Sequence, residues 1–326
     1  MSLPMRNILG ILVDNLSRRE SVMPLSRRRS THWAEGLNLP FGGKTILYTG
    51  QMYQLMPSIV AMEKMTSMFE NSWISNFYGI GRIVNKRINI SRFMTHVDPG
   101  EQETFNRIIR NIVYLLREAD VNPGYLYGEE LYTGALIHDE GVCDVFQDHA
   151  NKVGELLKRY EVERVITVDP HTTDMLRSVY PKIVKDYKIE VKSYLEVLAE
   201  RTLEPVKDLD LDAVIHDSCV YARYQGLIDE PRKLLRNAGV RFQEPDYSGK
   251  MTFCCGGPVE SLYPGKARMI AEKRISQLAS NSQNVITMCP ICLINLREAA
   301  KATEVRVRDI SDYLAEAYCD QHYVPR

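Results

Sequence analysis

The sequence predicts an α/β protein with two lobes, each a parallel sheet flanked by helices. Three observations lead to this prediction. Short apolar runs typical of buried strands alternate with amphipathic segments of helical length. The 326 residues suffice for two domains of about 150 residues each. The two halves of the chain also share an internal repeat, which predicts that the lobes arose by duplication.

The composition is that of an ordinary globular protein, with 44% hydrophobic residues, 25% charged residues and a formal net charge of −1. This balance gives no reason to expect nucleic acid or membrane lipid as a partner. No apolar run approaches the ~20 residues that a membrane span needs. Seven cysteines in a metal-like spacing and no secretory signal predict a cytoplasmic protein in a reducing compartment.

Residues 1–40 are predicted to form an N-terminal arm. Four apolar residues between positions 8 and 16 recur at helical spacing and predict a short amphipathic helix. The basic run Arg27–Arg29 follows this helix. Two interpretations stay open for the arm, a solvated basic linker and a docking arm for a partner subunit.

Residues 41–205 are predicted to form the first lobe. Strands are expected at residues 45–49 and 165–168. Helices are expected at residues 54–69, 104–119 and 143–160. Between these elements, Gly79-Ile80-Gly81 lacks the third glycine and the strand–turn–helix setting of a dinucleotide-binding fingerprint. We therefore predict no nucleotide site in this segment.

Residues 206–326 repeat the plan of the first lobe, so that both lobes are expected to be Rossmann-like. Three segments align, TILYTGQMYQLM with AVIHDSCVYARY, LYTGAL with FCCGGP, and VITVDPHTTDMLR with VITMCPICLINLR. The alignment pairs Tyr53 with Tyr221, for which we predict packing in the core. It also pairs every clustered thiol with a residue that has none: Gln51 with Cys219, Tyr132 and Thr133 with Cys254 and Cys255, and Asp169 and Thr172 with Cys289 and Cys292.

Five of the seven cysteines follow the pattern C-x34-CC-x33-C-x-x-C: Cys219, Cys254, Cys255, Cys289 and Cys292. Predicted strands at 213–215 and 285–288 precede Cys219 and Cys289, and predicted helices follow Cys219 and Cys292. Helix N-termini favour the thiolate form of cysteine. Three such turns at one edge of a parallel sheet would bring all five thiols together.

These motifs resemble the cysteine-rich CCG domain of the B subunit of heterodisulfide reductase and its D-type relatives. The same domain occurs in iron–sulfur subunits of glycolate and lactate oxidases and of an archaeal succinate dehydrogenase. Gly256 after the cysteine pair and Pro290 inside the C-x-x-C motif match this family. The resemblance implies that the five cysteines hold a non-cubane 4Fe-4S cluster, or zinc as in some copies of the domain.

From the residues themselves, the alternatives to a cluster are structural zinc, a metal-free dithiol and five buried thiols. Zinc uses four ligands in a tetrahedron, so five thiolates are one too many, whereas a cluster of several irons can use all five. The first lobe lacks thiols at the matched positions, and we expect it to be a scaffold without metal. The two-cluster mechanism proposed for heterodisulfide reductase therefore does not carry over to this chain.

Other candidate site residues carry weaker signals. His216, three residues before Cys219, could donate a hydrogen bond or a proton to the site, or could be an ordinary buried histidine. His138 and Asp139 follow Gly134 on the face where a substrate could bind. Cys143 and Cys319 are interpreted as ordinary residues.

The resemblance implies an iron–sulfur subunit of a heterodisulfide reductase-like complex that acts on thiol and disulfide groups. Its implied partners are a ferredoxin-like C-type subunit, a flavin-bearing A-type subunit and a lipoate-bearing protein. Two alternatives stay open: an electron-relay subunit of a lactate, glycolate or succinate oxidoreductase, and a zinc-bearing assembly subunit. No ferredoxin-type run of four cysteines is present, so electrons are expected to come from another chain.

Overall fold

The computed structural model describes residues 5–23, 25–69, 85, 97–257 and 263–320. It has the predicted α/β architecture, with two parallel sheets flanked by helices. The N-terminal segment forms helices α1 (Met5–Arg19), as predicted, and α2 (Arg27–Thr31). The segment with Gly79-Ile80-Gly81 lies outside the described residues. In the part of the chain that is described, no helix combines the length and apolar character of a membrane span.

The first sheet has three parallel strands in the order β1-β2-β3. They are β1 (Thr45–Tyr48), β2 (Arg164–Thr167) and β3 (Glu190–Ser193). The helices of this half are α3 (Met52–Phe69), α4 (Pro99–Glu118), α5 (Ala135–Asp139), α6 (Cys143–Arg159), α7 (Pro170–Asp174) and α8 (Tyr194–Ala199). Both strands and all three helices that the sequence predicts between residues 41 and 205 are present.

The second sheet has four parallel strands in the order β5-β4-β6-β7. They are β4 (Leu211–Ile215), β5 (Val240–Gln243), β6 (Asn284–Thr287) and β7 (Arg306–Asp309). The helices are α9 (Asp229–Asn237), α10 (Pro264–Ala279), α11 (Pro290–Ala300) and α12 (Ile310–Tyr318). A π-helical segment, Val220–Gln225, follows β4 where the sequence predicts a helix.

The strands that the sequence predicts are those with buried, uninterrupted apolar runs. Strands β1 and β6 contain runs of apolar residues that are fully buried, Ile46–Tyr48 and Val285–Ile286 respectively. The strands β3, β5 and β7 are not predicted from the sequence. All three lie at sheet edges, where charged residues such as Arg306 and Arg308 alternate with apolar ones.

The two halves contact each other through matching hydrogen bonds. Tyr53 in α3 donates to Asp309 Oδ2 at the end of β7 over 2.8 Å. Tyr221, its counterpart in the repeat, shares a 2.8 Å hydrogen bond with Ser193 Oγ at the end of β3. Asp309 and Ser193 are themselves the N-caps of α12 and α8. This reciprocal arrangement is compatible with a duplicated lobe.

Further polar contacts reinforce the same interface. Arg107 and Asn111 of α4 both bond to the buried Asp312 carboxylate of α12, over 3.1 Å and 3.0 Å. Tyr53 and Tyr221 are completely buried, as predicted for the core. Because each tyrosine hydroxyl contacts a helix cap of the other half, these residues also set how the two sheets face each other.

We expect the two cross-lobe tyrosines to stabilise the fold unequally. Burial raises the pKa of Asp309 to about 6, so at pH 8 Tyr53 donates to a carboxylate. Tyr53→Phe should then lower the free energy of unfolding by about 2 kcal/mol, and Tyr221→Phe, which loses a neutral partner, by about 1 kcal/mol. Urea unfolding at pH 8 measures both. The exposed Tyr224→Phe is the control, and equal effects of all three variants would contradict the prediction.

Candidate functional site

The C-x-x-C motif lies at the carboxyl edge of the second sheet, in the turn between β6 and α11 and the first turn of α11. Cys289 is the N-cap residue of α11, and Pro290 occupies its first turn. Proline suits this position because its fixed φ is helical and the N–H that it lacks would be unpaired there. Cys292 follows in the same first turn. Both thiols are therefore buried beside a helix N-terminus, whose dipole favours negative charge.

Cys219 lies at the neighbouring edge position, after β4 and directly before the π-helical segment. The preceding turn is fixed by a buried ion pair, in which Arg232 donates to both oxygens of Asp217 over 2.8 Å and 2.9 Å. Asp217 Oδ2 also accepts a hydrogen bond from Gly249 N over 2.7 Å. Asp217 thus connects the Cys219 turn to the loop that carries the cysteine pair.

Cys254 and Cys255 do not lie at a strand-to-helix turn, so this part of the prediction is wrong. They lie in a loop after a short 3-10 helix, Gly249–Met251, ten or so residues beyond the end of β5. Thr252 Oγ1 donates to Asp217 O over 3.0 Å and holds the loop against the Cys219 turn. The loop thereby reaches the same sheet edge although no strand leads into the pair.

Gly256 allows the close approach of this loop to α10. Its φ is +96°, and a Cβ atom there would lie 2.4 Å from the backbone oxygen of Ala267. The Gly256 N–H donates to Cys254 Sγ over 3.3 Å. Gly256 therefore lets the loop pack closely and also contributes a hydrogen bond to a thiol.

The five thiols lie side by side in the order Cys219, Cys254, Cys255, Cys292 and Cys289, and each interacts with the next. Cys255, Cys289 and Cys292 are buried, whereas Cys219 and Cys254 are partly exposed. The structure therefore brings together all five cysteines that the sequence pattern singles out. One end of the row faces the first lobe and the other end is accessible to solvent.

Negative charge is favoured at two positions in this row. Hydrogen bonds from Cys219 and Cys255, together with the Gly256 N–H, lower the pKa of Cys254. Burial opposes ionisation of Cys289, but hydrogen bonds from Cys292 and His171 outweigh it and bring its pKa well below the usual value. The hydrogen bond to Cys254 raises the pKa of Cys219 and of Cys255. Since metal ligation requires thiolates, a bound metal would displace the remaining protons.

His216, which directly follows β4, faces the same row of thiols. Its Nδ1 accepts a 3.1 Å hydrogen bond from Arg274 Nε, so the proton of the neutral ring must be on Nε2. Burial and the Arg274 charge lower its pKa to about 3. A ring nitrogen of His216 lies within 4.8 Å of the sulfurs of Cys255 and Cys292. Nε2 is buried without a partner among the described residues, so at neutral pH His216 offers a hydrogen bond rather than a proton.

The corresponding edge of the first sheet contains a polar network. Glu130 Oε2 accepts from Thr49 N over 2.9 Å, and Glu130 O accepts from Gln51 Nε2 over 2.8 Å. Asp169 accepts from Thr172 N over 3.0 Å and caps α7. Among the described residues, the one group of histidine, cysteine or acidic ligand atoms close enough to hold a metal ion is in the second lobe.

His171 is a functional candidate that the sequence signals missed as a neighbour of the cysteines. It follows Pro170 in the first turn of α7 in the first lobe, yet its ring interacts with Cys289 of the second. Its Nδ1 lies 3.5 Å from Asp139 Oδ2, and Asp139 Oδ1 lies 3.3 Å from His138 Nδ1. The sequence clue was that His171 directly follows Pro170, which matches Pro290 of the C-x-x-C motif in the repeat alignment. Cys143 and Cys319 lie outside the row, at the start of α6 and after α12.

Burial and hydrogen bonding act against each other in this cross-lobe contact. Burial disfavours the charged forms of Asp139 and His171. Hydrogen bonds from His138 and His171 nevertheless lower the pKa of Asp139 to about 2. Hydrogen bonds to Asp139 and Cys289 raise the pKa of His171 well above its usual value. The ring is therefore a hydrogen-bond donor between a carboxylate of its own lobe and a thiol of the other.

Comparison with known proteins supports the assignment of the second lobe. Residues 213–297, which contain all five cysteines, match the family model described as the CCG cysteine-rich domain. The predicted resemblance to this family is therefore confirmed. The match covers most of the second lobe, from β4 to α11.

Curated relatives include iron–sulfur proteins and components of reductases. The chain is 30% identical to the EtfAB:quinone oxidoreductase of Syntrophomonas wolfei, over 66% of this chain and 32% of that protein. It is 30% identical to the probable iron-sulfur-binding oxidoreductase FadF of Bacillus subtilis, over 65% of this chain and 31% of that protein. The D subunit of the dihydromethanophenazine:CoB–CoM heterodisulfide reductase of Methanosarcina mazei is 26% identical, over 62% and 53% respectively. The matched region is about a third of the length of the first two relatives.

The polar network of the first lobe generates a prediction about pH. Burial raises the pKa of Glu130 from 4.5 to about 8, so the folded chain binds a proton there that the unfolded chain has lost above pH 4.5. The free energy of unfolding should thus fall as pH rises between about 4.5 and 8, by on the order of 4 kcal/mol from this group. Glu130→Gln, which does not ionise, should lose this contribution. Urea unfolding across pH 4.5 to 9 measures it, and parallel pH profiles for both proteins would refute it.

Proposed function

We propose that this chain is the iron–sulfur subunit of a heterodisulfide reductase-like complex and carries one non-cubane 4Fe-4S cluster for thiol/disulfide redox chemistry and electron transfer. The observation that carries the proposal is the row of five thiols, drawn from three separate segments and placed at one sheet edge. The family match to residues 213–297 and the heterodisulfide reductase relatives support it.

The geometry of the thiols favours a cluster over zinc. A tetrahedral zinc site with Zn–S bonds of about 2.3 Å needs four donors that are all about 3.8 Å apart. Here only three candidate donors, on Cys255, Cys292 and His216, are mutually within 4.8 Å in the described chain. His216 suits zinc poorly, because Arg274 occupies Nδ1 and leaves the proton on Nε2. An extended row of five sulfurs suits several irons better than one ion.

Cys219, Cys254, Cys255, Cys289 and Cys292 would hold the cluster. When bound, such a cluster accepts and releases single electrons. The protein contributes a hydrogen bond from the Gly256 N–H to Cys254, and His216 Nε2, unpartnered among the described residues, would offer a second donor to a bound cluster. Hydrogen bonds of this kind stabilise the more reduced, more negative state and so raise the reduction potential.

A partner must supply or remove the electrons, since the first lobe has no thiols at the matched positions. We propose that it contacts the face where Cys219 and Cys254 approach the surface. Large exposed apolar side chains lie in the segments next to these two cysteines, including Tyr224 at 69% and Met251 at 72% exposure. Exposed apolar groups on this scale are typical of interaction sites. Ferredoxin-like or flavin-bearing subunits are the proposed electron partners, and a protein-bound lipoate is the proposed thiol partner.

A second candidate function is an electron relay between a flavoprotein and another acceptor. The similarity to an EtfAB:quinone oxidoreductase and to the B subunit of the fumarate reductase (CoM/CoB) of Methanothermobacter marburgensis favours it. The two functions differ in whether the cluster binds a sulfur-containing substrate. Adding a thiol to the oxidised, cluster-loaded protein should change its EPR signal if the first function is correct and leave it unchanged if the chain is only a relay.

The ligand assignment predicts the effect of replacing single cysteines. Cys254→Ser and Cys255→Ser should each lose most of the bound iron and visible absorbance, because a hydroxyl is a poor ligand for an iron–sulfur cluster. Cys143→Ser, an exposed cysteine outside the row, is the matched control and should keep both. Iron and acid-labile sulfide assays on anaerobically purified protein provide the measurement. Full iron content in either of the first two variants would refute the assignment.

The same assay tests the role of the first lobe. Asp169→Asn preserves a side chain that can cap α7, and it should leave the iron content unchanged because this lobe is assigned no metal. Loss of iron in this variant without loss of folding would show that the first lobe also contributes a ligand.

A further inference from the structure

One contact crosses from the first lobe to the cysteine row. His171 is 7% exposed and interacts with Cys289, while its Nδ1 lies 3.5 Å from Asp139 Oδ2. In the repeat alignment, His171 corresponds to Ile291, which lies between the two cysteines of the C-x-x-C motif. The first lobe has therefore kept the turn that holds ligands in the second lobe, and it presents a histidine from that turn.

We propose that His171 is a positioning residue for the five-cysteine site: it donates a hydrogen bond from the first lobe to Cys289, and Asp139 fixes the orientation of its ring. This role rests on the proposed cluster function. It makes the first lobe a functional part of the site, although that lobe has no thiol at the matched positions.

The local structure holds His171 firmly in place. Asp169 caps α7 through Thr172 N, and Thr173 Oγ1 donates to Asp169 O over 2.7 Å, which fixes the first turn of the helix. The helix packs against the π-helical segment Val220–Gln225 that follows Cys219. His171 is thus positioned by its own lobe and by the element that carries another ligand. Small shifts between the lobes would change its contact with Cys289.

The physical effect of this contact follows from the charge of the sulfur. A donor beside a thiolate ligand withdraws electron density from the metal and stabilises the state with one more electron. A carboxylate that accepts the second N–H of the histidine ring fixes its orientation and strengthens this effect, as in carboxylate–histidine pairs at metal sites. His216 provides a donor beside Cys255 and Cys292. His171 provides one at the opposite end of the row, next to the buried Cys289.

The experiment compares His171→Leu, His171→Gln and Asp139→Asn with the wild type and with Asp148→Asn, an exposed acid of α6 that serves as control. Each protein is first assayed for iron and sulfide, and its midpoint potential is then measured by EPR-monitored redox titration. The leucine variant should show the largest shift to lower potential. A tenfold change in the reduction equilibrium corresponds to about 59 mV for one electron.

The remaining variants separate electronic from structural roles. His171→Gln keeps an N–H donor and should recover part of the shift, and Asp139→Asn, which leaves the ring in place with a weaker acceptor, should shift the potential less than His171→Leu. If the leucine variant does not retain its cluster, the glutamine and asparagine variants decide the question. Asp148→Asn should not differ from the wild type.

Two results would overturn the inference in distinguishable ways. Fully loaded variants with the wild-type potential would show that His171 has only a structural role, while the proposed cluster function would stand. A wild-type protein that contains neither iron nor acid-labile sulfide would refute the proposed function and this inference with it.

Discussion

Five thiols have to meet at one edge of a sheet, and the rest of the structure depends on this constraint. Sulfur atoms in contact repel one another once ionised, so the row of thiols is tolerated only where protons or metal ions are shared among them. A parallel sheet satisfies the geometric part of the requirement, because the carboxyl ends of β4 and β6 lie side by side. The Asp217–Arg232 ion pair and Gly256 then bring the cysteine pair to the same edge.

The corresponding sheet edges of the two lobes carry different side chains. In the second lobe the strand–turn–helix units carry Cys219, Cys289 and Cys292. In the first lobe the corresponding sheet edge carries a hydrogen-bonded polar network around Glu130 and Asp169. The first lobe nevertheless contributes to the site, since Tyr53 and α4 fix its position and His171 contacts Cys289.

Much of the fold and most of the site could be predicted from the sequence, for physical reasons. Strands β1 and β6 contain buried apolar runs that the sequence reveals, and the cysteine spacing identifies one row of thiols. Edge strands such as β7 alternate charged and apolar residues and give a weaker signal. No apolar run typical of a strand precedes Cys254, so the position of its loop could not be predicted. Hydrogen bonds from Gly249 N and from Thr252 Oγ1 to Asp217 hold this loop instead. His171 could not be assigned to the site, because its neighbour Cys289 lies in the other lobe.

An anomalous diffraction map collected at the iron absorption edge, on crystals of anaerobically prepared protein, tests the central claim most directly. The account predicts four iron peaks among the five sulfurs of Cys219, Cys254, Cys255, Cys289 and Cys292, and none at the polar network of the first lobe. A single metal peak at the zinc edge with no iron signal would contradict it. The row of thiols would then be a structural clamp, and the redox chemistry would belong to another subunit.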